Sequence, residues 1–173
     1  MTVRKIGPAG LVLSSAVLFL AFVSASGKPM GVSAAARSHD SDRHCSAVGG
    51  TVMTNFINPS TTLGTATGNL RGAVSASLLG APQPGPEGSV VFHVQHHWVT
   101  ETGDTLTIDP AVARTAPLSK TLFAVLTYPL HISGGTGRFA SASGDLTNIG
   151  EVDLSENATV FRYTGEVCFA DKD

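Results

Sequence analysis

The sequence has little charge of either sign, and this shortage limits the partners it can have. Only 14% of its 173 residues are charged, with 11 Lys and Arg against 13 Asp and Glu, so the net charge is −2. A protein that neutralises nucleic-acid phosphates needs a cluster of Lys and Arg, and no such excess is present here. The composition therefore predicts no nucleic-acid partner.

The chain also has few of the long side chains that favour helices, while its 19 glycines and 42% hydrophobic residues are spread throughout. Such a composition argues against a helical bundle and favours short strands that are joined by tight turns. At this length one domain with one core is expected.

The sequence lacks the common catalytic signatures: a nucleophile elbow, an H-E-x-x-H zinc motif and a phosphate-binding Walker loop. Residues 135–140 (GTGRFA) fit the dinucleotide fingerprint, but that pattern needs a long helix after it, and residues 141–144 (SASG) stop any helix within about a turn. No cofactor is therefore expected. A dispersed Ser-His-Asp triad stays open.

A run of histidines suggests a metal site, but strand geometry argues against it. His96 and His97 point to opposite faces of a strand, while His93 and His97 share a face about 13 Å apart, too far for one ion. Without ligands from neighbouring strands no metal is expected.

The N-terminus has the features of an export signal. Arg4 and Lys5 precede an apolar run at residues 11–23, which is shorter than the ~20 residues of a membrane span, and small residues follow. The prediction is a signal peptide at residues 1–25, with cleavage after residue 36 as the alternative and an uncleaved anchor still open. Residues 26–44 are expected to form a disordered leader and residues 45–170 the folded domain, secreted and without stable membrane insertion after processing.

The sequence has two cysteines, Cys45 and Cys168, which bracket almost all of the predicted strands. In an exported protein such a pair usually forms a disulfide, and two free thiols are the alternative. A bridge here would tie the first strand to the last.

Alternating apolar and polar residues predict the strands. The segments lie at residues 70–78, 92–98, 106–108, 122–132, 146–154 and 161–167, with a further strand near 51–57. Residues 101–104 (ETGD) predict a hairpin turn, and Pro110 ends the strand after it. Seven to eight antiparallel strands with one apolar face each form either a closed barrel or a two-sheet sandwich, and periodicity does not choose between them.

Residues 132–146 (ISGGTGRFASASGDL) decide this choice, because they resemble the GGTGRFxxAxG segment of the allene oxide cyclase and dirigent barrel superfamily. Residues 97–106 (HWVTETGDTL) resemble exported bacterial members of that group. The resemblance implies a small antiparallel closed β-barrel in which Gly134, Gly135 and Gly137 shape a turn and Phe139 anchors it to the core. It also implies a homo-oligomer, since family members are often trimers, and either cyclisation of an unstable fatty-acid epoxide or guidance of phenolic coupling. The family's catalytic residues have no convincing match here, so fold is implied more than activity.

Polar or aromatic residues on the apolar faces are the candidate ligand-binding residues. These are His96, Trp98, Tyr128, Asn148 and Tyr163. If they share one lumen, their polar groups would hydrogen-bond each other and water, or they would bind a small apolar or amphipathic molecule. His96 is also the candidate for proton transfer, because its unperturbed pKa is about 6.5.

Three functions follow in order of preference. The first is an exported barrel that binds a small, largely apolar molecule. The second is an isomerase or cyclase that holds a reactive substrate in one conformation. The third is a structural protein with a filled barrel, which an outward position of Phe123 and Val125 on the strand at 122–132 would favour through oligomer contacts.

Overall fold

The computed structural model describes residues 43–170, in which the regular structure is strand and short 3-10 turn. The strands are β1 (Arg43–Asn58), β2 (Thr61–Ala66), β3 (Gly72–Leu78), β4 (Gln83–Pro84), β5 (Val90–Thr100), β6 (Thr105–Ile108), β7 (Ala111–Pro117), β8 (Leu122–Thr127), β9 (Pro129–Gly135), β10 (Ser143–Asp153) and β11 (Ala158–Ala170). The 3-10 turns are Gly68–Leu70, Pro86–Gly88 and Gly137–Phe139. Within this range no helix is long and apolar enough to cross a membrane. The predicted signal peptide and nearly all of the predicted leader lie outside the described residues.

The strands pair antiparallel into a closed ring of eight. β5 pairs with β7 at residues 90–94 and with β6 at 98–99, while β10 pairs with β9 at 144–147 and with β8 at 150–153. β6 with β7, and β8 with β9, therefore each act as one interrupted strand, and β11 returns to pair with β1. The predicted closed antiparallel barrel is confirmed, and closure leaves no ring strand with an open edge. The short strand β4 pairs with β5 outside the ring.

Proline accounts for one of the two interruptions. Pro110 separates β6 from β7, because a proline has no N–H to give to the strand ladder. The predicted end of the strand at this residue is correct, but the chain resumes at once as β7.

The disulfide lies at the seam of the ring. Cys45 and Cys168 are directly opposite each other in the pairing of β1 with β11, and their sulfurs are bonded. The predicted bridge between the first and the last strand is confirmed.

The expected inward face at residues 122–132 is wrong in its first half. The alternation predicted that Leu126 faces the core and that Phe123 and Val125 face outward. Val125 is instead buried at 8% exposure, Leu126 is 47% exposed, and Phe123 lies on the inner wall with Val125.

A shift in strand pairing explains this reversal. Arg114 pairs with Thr127, but the next residue, Thr115, pairs with Val125, so Leu126 has no partner on β7. Such an extra residue moves the inward alternation by one position. Because Phe123 and Val125 face inward, they do not support oligomer contacts. The expectation of an oligomer therefore rests on the family resemblance alone.

The ring has two ends that are built from different connections. Successive connections of an antiparallel meander alternate between the ends. One end, which we call the mouth, is formed by residues 59–60, 79–89, 118–121 and 154–157. The other, which we call the closed end, is formed by residues 67–71, 101–104 and 136–142 together with the disulfide.

Candidate functional site

Aromatic side chains fill the closed end, and their polar atoms are satisfied there. The rings of Trp98 and Tyr163 are perpendicular, with centroids 5.5 Å apart. The indole N–H of Trp98 donates to the Leu70 carbonyl at 2.7 Å, the Leu70 N–H donates to Tyr163 Oη at 2.9 Å, and Tyr163 Oη donates to the Thr67 carbonyl at 2.7 Å. Tyr163 is thus fully occupied by the β2–β3 connection, as expected of a buried tyrosine.

The glycine-rich segment closes the same end. Gly134 and Gly135 end β9, and Gly137 has a left-handed φ of 56°, which favours glycine, at the start of the 3-10 turn. Phe139 is completely buried, and the centroid of its ring lies 5.7 Å from that of the Phe169 ring. The glycines form a turn and the Phe139 ring fills this end of the barrel. All of these residues lie outside the cavity described next.

Between the closed end and the mouth lies a cavity of about 360 Å³, a size typical of small-molecule sites. Its wall is largely aliphatic and aromatic and includes Val74, Phe92, Val94, Phe123, Leu130 and Phe161. Among the described residues that line it there is no Lys, Arg, Asp or Glu. Exposed residues of the mouth, Ser60 and Leu154, also line it, so the cavity reaches solvent at that end.

Small inward residues create this space, and the sequence reasoning missed them. Ala76 and Ala113 line the cavity together with several threonines. Thr54 and Thr159 hydrogen-bond each other through their hydroxyls at 2.7 Å, and the Thr115 hydroxyl donates to a β5 carbonyl at 3.1 Å. The signal that would have found them is a cluster of small residues at inward positions in one half of the barrel.

One polar cluster interrupts the apolar wall. Tyr128 Oη lies 2.8 Å from His96 Nε2, and both side chains are buried. Asn148 donates to the Tyr128 carbonyl from its backbone N–H at 3.0 Å and from its side-chain amide at 3.2 Å. His96 Nδ1 is buried and has no hydrogen-bond partner among residues 43–170. Four of the five predicted ligand-binding residues, namely His96, Trp98, Tyr128 and Asn148, line the cavity, whereas Tyr163 does not.

Burial keeps the His96–Tyr128 pair uncharged at neutral pH. Loss of water around His96, with a smaller repulsion from His97, lowers the pKa of His96 to about 4. Burial likewise raises the pKa of the Tyr128 hydroxyl above its ordinary value. Neither the imidazolium nor the phenolate is therefore populated at pH 7.

A neutral pair of this kind has a fixed hydrogen-bonding capacity. It holds two exchangeable protons, and the bond between Tyr128 Oη and His96 Nε2 uses one of them. If Tyr128 donates, His96 Nδ1 keeps the second proton and Oη is an acceptor. If His96 Nε2–H donates instead, the Tyr128 hydroxyl keeps its own proton as the free donor, and His96 Nδ1 is the free acceptor. In either tautomer the pair has one donor and one acceptor left for a neighbouring group.

His93, His97 and His131 are not brought to this cluster. His93 and His97 are exposed on the outer face of β5, opposite to His96, as predicted for alternating positions. His131 is exposed on β9, where Asp145 hydrogen-bonds its Nδ1 at 2.9 Å and raises its pKa.

Comparisons with known proteins give few matches. No family model matches the chain, and no curated protein matches it. Among solved structures it is similar to the pterocarpan synthase dirigent protein GePTS1, with 17% identity over 76% of this chain and 88% of that chain and a TM-score of 0.36. It is also similar to the pterocarpan synthase dirigent protein PsPTS1, with 15% identity over 75% of this chain and 97% of that chain and a TM-score of 0.33. One fold serves many functions, so the function is inferred below from the site itself.

Proposed function

We propose that this protein is an exported barrel that binds one small, largely apolar molecule in its cavity. The observation that carries the proposal is the cavity itself: about 360 Å³, apolar on nearly all sides, and reaching solvent at the mouth. A cavity of this kind favours an occupant that removes apolar surface from water.

Water is a poor occupant for most of this space. A buried water needs about three hydrogen bonds to polar groups of the protein. The hydroxyls of Thr54, Thr115 and Thr159 already have partners. The few remaining polar groups of the wall include Thr62, Asn148 and the His96–Tyr128 pair. An apolar body with one polar group near this pair fits the site better than a cluster of waters.

Fluorescence offers a direct test, because Trp98 is the chain's one tryptophan and lines the cavity. Titration with fatty alcohols, terpenoids and phenolics is expected to change its emission saturably for at least one class. Tyr128→Phe should weaken a ligand with a polar group by about 10-fold and leave a pure hydrocarbon unaffected.

The chain provides a matched control in its second tyrosine. Tyr163→Phe removes the same hydroxyl at the closed end, where it bonds Leu70 and Thr67 rather than the cavity. This variant should lose stability but keep its affinity. Absence of saturable binding by every compound, or equal losses of affinity in both variants, would contradict the proposal.

Export is the second part of the proposal, and the disulfide supports it, because such bonds persist in oxidising compartments. The intact mass of the exported protein should show loss of the first 25 to 36 residues, as the N-terminal pattern predicts. A full-length chain held stably in the membrane would contradict export.

An isomerase or cyclase is the second candidate, and the His96–Tyr128 pair favours it. A neutral pair with one free donor and one free acceptor can give a proton at one atom and take one at the other without forming a charge. A bound ligand with an exchangeable C–H would then gain deuterium from D₂O faster with the parent than with Tyr128→Phe. Equal exchange rates in the two proteins would contradict a catalytic role of this pair, and ligand binding would remain the proposed function.

A further inference from the structure

We infer that the cavity selects uncharged ligands: an apolar body whose polar group is a hydroxyl, carbonyl or ether rather than a carboxylate or an ammonium. This inference rests on the proposed binding function and specifies its ligand class.

The wall offers no counter-ion. Among the described lining residues there is no Lys, Arg, Asp or Glu. Strand alternation instead directs the charged side chains outward, as with the exposed Glu151 and Arg162 on the two strands that carry Asn148 and Phe161. An ion that entered this space would lose its water without gaining an opposite charge, and such burial is strongly unfavourable.

The backbone does not replace a counter-ion. The inner wall is made of strands whose amides are engaged in the pairing of the ring. A carboxylate is otherwise held by several free N–H groups, and backbone amides that are paired along a strand ladder are not free for it.

The polar cluster matches an uncharged group. His96 stays neutral at pH 7 because burial holds its pKa at about 4, so it is no partner for an anion. The His96–Tyr128 pair has one unused donor and one unused acceptor, and His96 Nδ1 is without a partner. This uncharged hydrogen-bonding capacity matches a hydroxyl, which donates and accepts, and a carbonyl or ether, which accepts.

Ligand pairs with the same carbon chain and either an uncharged or an ionic head group test the inference. Decanol and decanoate, and geraniol and geranate, are titrated at pH 7 with Trp98 emission as the signal, with decane and decylammonium as further members. The alcohols are expected to bind at least about 100-fold more tightly than the ions. A decanoate or decylammonium affinity within about 10-fold of decanol would overturn the inference while leaving the binding function intact. If no uncharged compound binds, both the inference and the proposed binding function would be contradicted.

A cation added at the mouth provides a second measurement that does not disturb the core. Leu154 lines the cavity and is 50% exposed, so Leu154→Arg can place a guanidinium at its entrance. This variant should narrow the preference for decanol over decanoate at least about 10-fold relative to the parent.

The control is Leu63→Arg, because Leu63 is 49% exposed but does not line the cavity. It should leave both affinities unchanged. Equal responses of decanoate binding to the two arginines would show that charge at the cavity does not govern selection, and the inference would fall.

Discussion

Replacing Ala76 by Leu is expected to stabilise the fold and to reduce ligand binding at the same time. Ala76 faces inward from β3, directly opposite Thr62 on one side and His96 on the other, and it lines the cavity. A larger apolar side chain at this position enters empty space rather than occupied core. The opposite outcome is usual inside proteins, since added methylenes in a packed core cost about 1–3 kcal/mol.

The magnitude follows from the atoms that are added. Leu carries three more carbons than Ala, and burial contributes about 0.8 kcal/mol for each, roughly 2.4 kcal/mol in total. Fixing the longer side chain costs about 0.5–1 kcal/mol. The free energy of unfolding should therefore rise by about 1–2 kcal/mol, while the affinity for an apolar ligand falls because the cavity is smaller.

Urea unfolding, followed by Trp98 fluorescence and far-UV circular dichroism, measures this change. The control is Ala66→Leu on the neighbouring strand, because Ala66 is 4% exposed and belongs to the packed core rather than to the cavity wall. This variant should lose about 1–3 kcal/mol. If the two leucines destabilise the protein equally, the space beside Ala76 is filled and the cavity does not exist in solution.

Three further predictions concern the polar pair and the seam. Tyr128→Phe should lower the free energy of unfolding by about 1–3 kcal/mol, because it leaves a buried nitrogen of His96 unpaired, and an unchanged urea midpoint would contradict the hydrogen bond. The folded pKa of His96, about 4, lies below its ordinary value of 6.5, so the unfolded chain takes up the proton first. The free energy of unfolding therefore falls as the pH drops from 6.5 to 4, by up to about 3 kcal/mol. His96→Gln should lack this loss in the same pH series, and an equal loss would assign it to other groups. Reduction of Cys45–Cys168 should lower stability by up to about 5 kcal/mol in the chain-entropy model while the β-sheet signal persists, and an unaffected unfolding curve would contradict a stabilising bridge.

Alternation in the sequence was sufficient to predict the antiparallel strands and much of their inner face, whereas the choice of a barrel over a sandwich came from the resemblance of residues 132–146. Trp98, His96 and Asn148 are inward because each lies on a strand with only one apolar face. The bridge followed from the positions of two cysteines at the ends of the strand pattern.

The β8 reversal was not predictable in the same way. Residues 122–126 (LFAVL) are apolar on both faces, so periodicity does not say which face is inner. The pairing shift opposite Arg114 and Thr115 decides it, and a register shift is a property of two strands together.

The cavity likewise could not be predicted from the residue pattern of any single strand. An inward Ala76 or Thr159 looks like an ordinary core position, and the empty space arises only when small residues on several strands face one another. The same holds for the His96–Tyr128 bond, which joins β5 to the residue between β8 and β9 across the inside of the ring.

The most direct test of the central claim is native mass spectrometry of the exported protein, followed by organic extraction of whatever it carries. We expect one uncharged, largely apolar molecule per chain, released on unfolding and retained poorly by Ala76→Leu. A protein that carries no such molecule, and that binds no uncharged compound in the Trp98 titration, would contradict the claim that this cavity is a binding site.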